Sequence, residues 1–340
     1  MKAVLDLQKQ LLPDVLDIIK KRYQILHHVM AYRTVGRRTL AVSLHMTERV
    51  LRAEVDFLKE MGLLQVESFG IKVTAAGKKL LDEMEPMMKE MSGLARYEEQ
   101  LQQRFGISQA IVVHGDSDES PYVKQELGRM AALALRKSVQ KETVIAVTGG
   151  STISEVAHQL ASSTALKGST FVPARGGLGE SVEFQANTVA SVMARKVGGQ
   201  HRLLHVPDHL SEEAYQTLIQ EPNIQEVVQV IRSARIVIHG IGEAKIMAKR
   251  RKAAPEMVNA LLEEGALGEA LGYYFDRNGS VVNRMPTVGL RLEDLPYVDR
   301  VIAVAGGSSK GESIASVLRY GCVSIFITDE GAAKKILQDS

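Results

Sequence analysis

A glycine-rich turn in residues 144–155, VIAVTGGSTISE, has the residue types that bind an anion. Gly149 and Gly150 allow the backbone to turn tightly and expose its N–H groups, and Ser151 and Thr152 add hydroxyl donors. A helix beginning near Ser151 directs its positive end at the same point. The pattern predicts a phosphate site, although a turn that uses glycine for geometry alone has the same sequence. It is not a nucleotide P-loop, because the G-x-x-x-x-G-K-[ST] spacing and its lysine are absent.

Two further glycine-rich segments carry cations. Arg175 lies in VPARGGLGES (172–181) and Lys310 in VAGGSSKGES (304–313). Arginine suits bidentate phosphate contact, and lysine is a flexible ammonium. From Gly106 onward, short apolar runs alternate with helical patterns, which predicts a doubly wound α/β domain with a parallel sheet. Ligands of such sheets bind beyond the carboxyl ends of the strands, so we expect the three segments to surround one anion site.

The front of the chain has a different pattern. Residues 36–81 predict a helix, a tight turn, a second helix and a β-hairpin, the order of a winged helix-turn-helix. Between Lys20 and Arg52 there are eight Lys/Arg and one acid, Glu48, a local net charge of +7. This charge favours a DNA-binding domain, although a small helical domain with a solvated basic face remains the alternative.

The second helix of such a motif enters the major groove of DNA, and its N-terminal residues contact the bases. The residues expected there are Thr47, Glu48, Arg49 and Arg52. Arginine binds guanine and glutamate accepts from cytosine. Arg37 and Arg38 precede this helix and are better placed for phosphates. The predicted partner is therefore a double-stranded DNA operator.

A methionine-rich stretch, residues 77–105, connects the two parts. Its apolar residues have approximately the 3–4 spacing of a helix, and Pro86 predicts a kink or a restart. The helix either pairs with the same helix of a second copy or packs on its own domain. We expect a DNA-binding domain at residues 1–90, a connector helix to about residue 105, and an oligomerisation and ligand-binding domain at residues 106–340.

The composition is consistent with two domains and excludes some classes of protein. The chain has 340 residues, 45% hydrophobic and 24% charged, with a formal net charge of +2. One cysteine, Cys322, excludes an internal disulfide and a cysteine-based zinc site. Charges interrupt every apolar run before membrane-spanning length. We expect a cytoplasmic protein with no metal, no cofactor and no membrane partner.

The C-terminal part resembles the sugar-binding domain of the SorC family of bacterial transcriptional regulators. The segments that carry the resemblance are VPARGG, QANTVASVMARKVGGQHRLLHVP, IVIHGIGEAK, EGALGEALGYYFDRNG and VIAVAGGSSKGESIASVLRYGCVSIFITDEGAAKKIL. The resemblance implies a fold similar to glucosamine-6-phosphate deaminases and ribose-5-phosphate isomerases, and a phosphorylated sugar as effector. Residues 149–152 match the phosphate turn of the family, and Gln185, Glu269 and Lys310 match polar positions of its motifs. By their chemistry, Gln185 and Glu269 are expected to hold sugar hydroxyls.

A basic run, EAKIMAKRRKAAPE (243–256), departs from the usual family pattern. Its five cations are Lys245, Lys249, Arg250, Arg251 and Lys252. The run is either a solvated surface or a site for a second phosphate, with Arg250 as the ligand. The type of N-terminal domain is similar to the family members that regulate glycolytic genes in Gram-positive bacteria, which implies fructose 1,6-bisphosphate as effector.

Three functional hypotheses follow. In the first, the chain is a repressor that acts as a dimer or tetramer, and a sugar phosphate weakens its cooperative binding to the operator. In the second, it is a sugar-phosphate isomerase or deaminase, with Glu269 and His239 as the nearest acid/base candidates. In the third, it is an architectural DNA-binding protein whose second domain serves oligomerisation alone.

Overall fold

The computed structural model describes residues 11–32, 34–44, 46–140, 142–161, 163–177, 181–208 and 210–338. It divides the chain into two units, with the boundary between Arg96 and Tyr97. We call the N-terminal part unit 1 and the C-terminal part unit 2. The predicted DNA-binding domain starts at residue 1, and its first ten residues lie outside the described ranges.

Unit 1 is a winged helix-turn-helix, as the sequence predicts. Its elements are α1 (Pro13–Tyr32), α2 (Arg37–Ser43), α3 (Glu48–Glu60), β1 (Leu64–Glu67), β2 (Gly70–Val73) and α4 (Ala75–Ser92). Strands β1 and β2 form an antiparallel hairpin that closes where Glu67 is opposite Gly70. This hairpin is the wing, and it follows directly after the two helices of the motif.

The amphipathic pattern of the helices explains how unit 1 packs. Leu51 and Val55 of α3 are fully buried against Leu40 of α2 in one hydrophobic cluster. Each such side chain stabilises the fold by about 1.5–3 kcal/mol on burial. The Oγ1 atom of Thr47 accepts a hydrogen bond from the Val50 amide at 3.4 Å and so caps the start of α3. The cap fixes where the recognition helix begins.

The first part of the connector packs against unit 1. Helix α4 continues through Pro86 to Ser92, so the predicted restart at Pro86 is wrong. The helix ends at Gly93, whose φ of 73° is left-handed, and α5 (Leu94–Phe105) follows. Met88 and Met91 of α4 are buried with Leu16 of α1. The packing of these two methionines inside unit 1 supports the hypothesis of a helix packed on its own domain, and pairing with a second copy stays a prediction.

Unit 2 is a doubly wound α/β domain, as predicted. Its elements in chain order are β3 (Gln109–Val113), α6 (Pro121–Ser138), β4 (Val144–Val147), α7 (Ser151–Gln159), β5 (Thr170–Pro173), α8 (Ala186–Val197), β6 (Gln200–His201), α9 (Glu212–Leu218), α10 (Pro222–Arg232), β7 (Ile236–Gly240), β8 (Gly242–Glu243), α11 (Ala244–Arg250), α12 (Pro255–Glu263), β9 (Gly268–Ala270), β10 (Tyr273–Phe275), β11 (Val281–Arg284), β12 (Arg300–Val304), α13 (Gly311–Arg319), β13 (Ile325–Asp329) and α14 (Glu330–Gln338).

The main sheet has seven strands in the order β3-β13-β12-β7-β4-β5-β6, and all its pairings are parallel. After β4 the chain continues to one side of that strand through β5 and β6, and β7 then pairs on its other side. The boundary between β4 and β7 is therefore a topological switch point, where a crevice opens beyond the carboxyl ends of the strands. At this edge the Gly240 amide donates to Thr148 Oγ1 at 3.2 Å and joins the two strand ends.

A second, smaller sheet was not predicted. It has four antiparallel strands in the order β11-β10-β9-β8. Tyr274 and Met285 are buried in a separate cluster with residues of α11 and α12. In the register of this sheet, Glu269 of β9 is opposite Gly242 of β8, which follows directly after β7. The small sheet thus places an acidic residue beside the switch point.

Two kinds of feature are missing from the described ranges. No helix there is long and apolar enough to span a membrane. No group of three or more His, Cys, Asp or Glu side chains is arranged there to hold a metal ion.

Candidate functional site

A cavity of about 190 Å³ lies at the switch point of the main sheet. All nine residues that the sequence predicts for the ligand line it: Gly149, Gly150, Ser151, Thr152, Arg175, Gln185, Arg250, Glu269 and Lys310. These residues come from the segments that follow β4, β5 and β12, from the first turn of α7, from the start of α8, from α11 and from the small sheet. We call this cavity the switch-point pocket.

The glycine turn differs in detail from the predicted nest. The Gly150 amide donates to the carbonyl oxygen of Phe184 at 2.8 Å, so it is not available to a ligand. A Cβ atom on Gly149 would overlap that same carbonyl oxygen. Gly150 has a φ of 105°, a conformation that L side chains rarely adopt. The two glycines therefore shape the turn and admit the Phe184 backbone.

The backbone donors that are available to an anion lie at Ser151, Thr152 and Ile153, directly after the glycine turn. Helix α7 starts at Ser151, and no side chain caps it. The amides of Ser151, Thr152 and Ile153 have no acceptor among the hydrogen bonds of the described residues. The first turn of a helix leaves such N–H groups unsatisfied, and they carry the positive end of the helix dipole. Because this end lines the pocket, its N–H groups can accept an anion such as a phosphate group as a hydrogen-bond partner.

Two lysines lie near the first turn of α7. Lys310 lines the pocket, and Lys124 Nζ is 3.5 Å from Ser151 Oγ. Burial lowers the pKa of Lys310, and the charge of Lys124 lowers it further. Burial and a neighbouring positive charge destabilise the charged form of Lys310, and a bound dianion would stabilise that form. The sequence pattern did not identify Lys124, because it lies on α6 outside any glycine-rich segment.

The segment before Lys310 is not an anion nest. The Gly307 amide donates to Asp329 Oδ2 at 2.8 Å, and the Ser308 and Ser309 amides donate to Asp116 Oδ1 and Asp118 Oδ2 at 3.2 and 2.9 Å. The chain's own carboxylates thus occupy the amides that the sequence pattern offers to a ligand. The lysine side chain is the part of this segment that lines the pocket.

The floor of the pocket is a buried cluster of four charges, which we call the ion cluster: Arg175, Asp208, Arg251 and Glu269. Arg175 Nε donates to Asp208 Oδ1, and Arg175 Nη1 donates to Glu269 Oε1 at 3.2 Å. Arg251 donates from Nε to Asp208 Oδ2 and from Nη2 to Glu269 Oε1, both at 2.8 Å. Each of the four side chains is at most 6% exposed. The charges balance within the cluster.

The ion cluster revises the predicted roles of Arg175 and Glu269. Arg175 uses Nε and Nη1 inside the cluster, so it has no bidentate face for a phosphate. Its Nη2 atom is buried and finds no hydrogen-bond partner in the part of the chain that the structure describes. Glu269 Oε1 accepts from both arginines and from the Gly272 amide at 2.7 Å. These two residues offer a ligand one donor and the second carboxylate oxygen.

The two arginines of the cluster lower the pKa of Asp208. Burial opposes its ionisation, but the Arg175 and Arg251 guanidinium groups outweigh burial and hold the pKa of Asp208 below its ordinary value. Arg251 also donates from Nη1 to Tyr274 Oη at 3.1 Å. Asp208 is therefore ionised at neutral pH. The cluster joins the end of β5, the residue after α11 and the small sheet.

The basic run of residues 243–256 contains residues of two kinds. Lys245, Lys249, Arg250 and Lys252 are exposed, but Arg251 is buried in the ion cluster. The run is thus neither wholly a solvated surface nor wholly a phosphate site. Arg250 lines the pocket although it is exposed, and Lys249 does not line it. Asp208 and Arg251 were missed as site residues, since neither belongs to a recognisable motif.

His239 is not placed for acid/base chemistry. It is fully buried, does not line the pocket, and its Nδ1 is 3.0 Å from the Gly240 carbonyl oxygen. Burial lowers its pKa, so its neutral form is favoured. The pairing of Glu269 with His239 that the enzyme hypothesis requires is therefore absent from the pocket.

The predicted DNA-contacting residues form an exposed surface on unit 1. Arg37, Arg38, Thr47, Glu48, Arg49 and Arg52 are all exposed. Arg38 Nε is 3.5 Å from Glu48 Oε1, a weak surface pair. Arg49 and Arg52 lie in the first half of α3, where side chains of a helix-turn-helix reach base edges.

The local charge of +7 overstates the positive surface. Lys21 and Arg22 of α1 bind Glu54, which lies just past the counted segment, at 2.5 and 2.8 Å. The Arg22 guanidinium also lies over the Phe57 ring, 3.6 Å from its centroid. In the wing, Lys72 Nζ is 3.0 Å from Glu67 Oε2. The arginines of α2 and α3 therefore carry most of the charge available to DNA.

Family models match both units. Residues 18–88 match the family described as "CggR N-terminal DNA binding domain", and residues 89–338 match the family described as "Putative sugar-binding domain". The proteins named "Central glycolytic genes regulator" from Priestia megaterium and Bacillus subtilis are 47% and 44% identical to this chain. The matches cover 100% of this chain, and 99% and 100% of the two relatives.

Two solved structures of transcriptional regulators are also similar to this chain. A chain titled "putative SorC family transcriptional regulator from Enterococcus faecalis" is 42% identical, covers 71% of this chain and 99% of its own length, and has a TM-score of 0.67. The full-length sorbitol operon regulator SorC from Klebsiella pneumoniae is 17% identical, covers 89% of this chain and 94% of its own, and has a TM-score of 0.65. At that identity the second likeness supports the fold alone.

The three relatives at 42–47% identity are named as regulators, and none of these names describes an enzyme. The second hypothesis, a sugar-phosphate isomerase or deaminase, is thus wrong. The chain combines a DNA-binding domain with a sugar-binding domain, and it belongs to the SorC family of transcriptional regulators.

Proposed function

We propose that this chain is a cytoplasmic repressor of central glycolytic genes, and that fructose 1,6-bisphosphate in the switch-point pocket weakens its cooperative binding to operator DNA. The relatives at 44–47% identity are named as regulators of these genes, which supports the target. The proposal needs no cofactor or metal. It assigns DNA contact to Arg37, Arg38, Arg49 and Arg52, with Thr47 and Glu48 at the start of the recognition helix.

The observation that carries the proposal is the uncapped N-terminus of α7 inside a pocket that also contains Lys310. Gly149 and Gly150 shape the turn, and the Ser151 and Thr152 amides and hydroxyls then bind the first phosphate. Lys310 neutralises one of its charges. An apolar or uncharged ligand would leave both the helix end and the buried ammonium without a counter-charge.

Arg250 binds the second phosphate. It lines the same pocket from the last turn of α11, and its charge is close enough to lower the pKa of Lys310. Gln185 and Glu269 bind hydroxyl groups of the sugar, and the buried Nη2 of Arg175 donates to a ligand oxygen. A bisphosphate can pair one phosphate with Lys310 and the other with Arg250, whereas a monophosphate can pair with one of these cations.

The ion cluster couples ligand binding to the conformation of unit 2. A ligand oxygen on Arg175 Nη2 contacts a group that also holds Asp208 and Glu269, and therefore three separate segments of unit 2. A ligand that prefers one arrangement of these segments shifts the population toward it. A preference of about 1–3 kcal/mol changes operator affinity by about 5–150-fold. The active form is a dimer or tetramer, since paired half-sites need paired recognition helices.

Operator binding with and without effector tests the proposal. Labelled operator DNA is titrated with the full chain, and anisotropy is recorded without ligand, with fructose 6-phosphate, and with fructose 1,6-bisphosphate. We expect the bisphosphate to lower affinity or cooperativity more than the monophosphate does. The bisphosphate should also raise the melting temperature. A ligand concentration of 100 times Kd increases the free energy of unfolding by about 2.7 kcal/mol.

Arg250→Ala and Lys249→Ala form a matched pair, because both are exposed cations of α11 and only Arg250 lines the pocket. Arg250→Ala should remove the preference for the bisphosphate, and Lys249→Ala should retain it. If neither sugar phosphate changes melting temperature or DNA binding, unit 2 is an oligomerisation module and the proposal is wrong. If the two variants behave alike, the second-phosphate assignment fails.

A further inference from the structure

Lys124 of α6 places a second ammonium group beside the proposed phosphate site. Its Nζ is 3.5 Å from Ser151 Oγ, at the first residue of α7. Ser151 lines the switch-point pocket, whereas Lys124 is not among the lining residues. A phosphate group held by the Ser151 amide and hydroxyl would therefore come within reach of the Lys124 side chain.

Close packing of α6 on α7 holds these two side chains together. A Cβ atom on Gly128 of α6 would lie 2.9 and 3.0 Å from the backbone carbonyl carbon and oxygen of Glu155 in α7, so glycine permits this approach of the two helices. Lys124 precedes Gly128 by four residues, and Ser151 precedes Glu155 by four. Residues four apart lie on one face of a helix, so the glycine contact brings the faces that carry Lys124 and Ser151 together.

No ion pair neutralises either of the two ammonium groups near α7. In the part of the chain that the structure describes, no carboxylate forms a salt bridge with Lys124 or Lys310. Burial lowers the pKa of Lys310, and the charge of Lys124 lowers it further, whereas Asp118 and Asp329 oppose these effects without cancelling them. The two positive charges therefore repel each other, and a bound anion relieves that repulsion.

The charge of a phosphate ester matches two ammonium groups. Such an ester carries a charge of about −1.5 to −2 at neutral pH, and in the function proposed above Lys310 neutralises one negative charge. Lys124 supplies a second positive charge at the same helix end. A sulfate ester has a similar shape but a single negative charge, so it would leave one ammonium group without a counter-charge.

We propose that Lys124 is a specificity-determining residue of the effector site, which favours a doubly charged phosphate ester over a singly charged ester of similar shape. Its ammonium group binds a phosphate oxygen beside the Ser151 hydroxyl. The inference rests on the proposed function, because it adds a residue to the phosphate site at the start of α7. It brings α6 into contact with the effector, in addition to the segments that line the pocket.

Calorimetry on the full chain with fructose 1,6-bisphosphate tests the contact. Lys124→Gln should weaken binding by about 10–100-fold, since it removes a hydrogen bond from a charged group. Lys137→Gln is the matched control, because Lys137 is exposed in the last turn of the same helix and the change in net charge is identical. Lys124→Arg keeps the charge and should bind more tightly than Lys124→Gln. Equal affinity of Lys124→Gln and Lys137→Gln would overturn the inference, and an arginine variant as weak as the glutamine variant would refute the role of charge.

The preference for a doubly charged ester has its own test. The parent chain should bind fructose 6-phosphate more tightly than fructose 6-sulfate, and Lys124→Gln should reduce the ratio of the two affinities several-fold. The Lys137→Gln control should keep the parent ratio. A ratio that Lys124→Gln leaves unchanged would show that Lys124 does not select the ligand by charge.

The melting temperature without ligand separates this role from a structural one. Because Lys124 and Lys310 repel each other, ligand-free Lys124→Gln should melt at or above the temperature of Lys137→Gln. A clearly lower melting temperature would show that Lys124 stabilises the fold instead, and would overturn the inference. If the parent chain binds no sugar phosphate, the proposed function fails and this inference with it. If the parent binds and Lys124→Gln binds equally well, this inference alone fails.

Discussion

Replacement of Arg251 by methionine removes one arginine of the ion cluster at nearly constant side-chain volume. Arg251 makes hydrogen bonds of 2.8 Å to Asp208 and to Glu269, and one of 3.1 Å to Tyr274. Its side chain is 2% exposed. After the substitution Arg175 alone must balance two buried carboxylates, so one negative charge is left without compensation.

The expected loss of stability follows from this burial. Removing one partner of a buried ion pair costs about 3–5 kcal/mol, because the remaining charge is desolvated and unpaired. In a unit of this size, 1 kcal/mol lowers the melting temperature by about 2–4 °C. Arg251→Met should therefore melt about 6–20 °C below the parent chain.

The matched control is Lys249→Met, two positions earlier in the same basic run. Lys249 is exposed, and substitutions of such residues usually change stability by less than about 0.5 kcal/mol. Urea unfolding followed by circular dichroism gives both free energies. The double variant Arg251→Met/Asp208→Asn should recover part of the loss, since it also removes the uncompensated charge. If Arg251→Met unfolds at the same urea concentration as Lys249→Met, the ion cluster does not exist as described.

The pH dependence gives a second measurement on the same variant. Because the folded-state pKa of Asp208 is below its ordinary value, its contribution to stability is present above about pH 4 and is lost as the pH falls further. The parent chain loses this stabilisation in acid, whereas Arg251→Met has already lost much of it. The difference between the two should therefore narrow as the pH is lowered. A difference that widens in acid would show that the pKa of Asp208 is not lowered by its arginine partners.

Three other predictions concern the turn, the acidic end of β13 and the DNA surface. Gly149→Ala should abolish sugar-phosphate binding in calorimetry and lower the melting temperature, because its Cβ would overlap the Phe184 carbonyl; full binding would show that the turn is not constrained. A hydrogen bond from His114, with a further one from Lys334, outweighs burial and lowers the pKa of Glu330 to about 2. Glu330→Gln should thus be destabilised above pH 4.5, and the deficit should vanish as the pH falls toward 2; a deficit independent of pH refutes this. Arg52→Ala should weaken operator binding. If Arg52 contacts a phosphate, the salt dependence of binding should fall by about one phosphate contact, and if it contacts a base, the base preference should relax. The effector-induced rise in melting temperature should be unchanged, and a change in it would contradict the separation of DNA binding from effector binding.

The features that depend on local pattern could be predicted from the amino-acid sequence. The winged helix-turn-helix follows from helical periodicity, the Thr47 cap and the alternating strands, all of which are short-range. The parallel α/β unit follows from its apolar runs between helices. Because ligands of such sheets gather at the carboxyl ends of strands, glycines and cations at three strand ends predicted one pocket, and Gly149, Arg175 and Lys310 do line a single cavity.

Which polar groups are available to a ligand depends on the three-dimensional fold. A run of cations has the same sequence whether its members are solvated or buried, and Arg251 is buried because Asp208, 43 positions away, is on the pocket floor. The amides near Lys310 are occupied because Asp116 and Asp118 reach them from 191–192 positions away. Met88 and Met91 of α4 likewise pack against Leu16 of α1, which no spacing within α4 predicts. Hydrogen bonds and burial of this kind join residues that are far apart in sequence, and no local spacing encodes them.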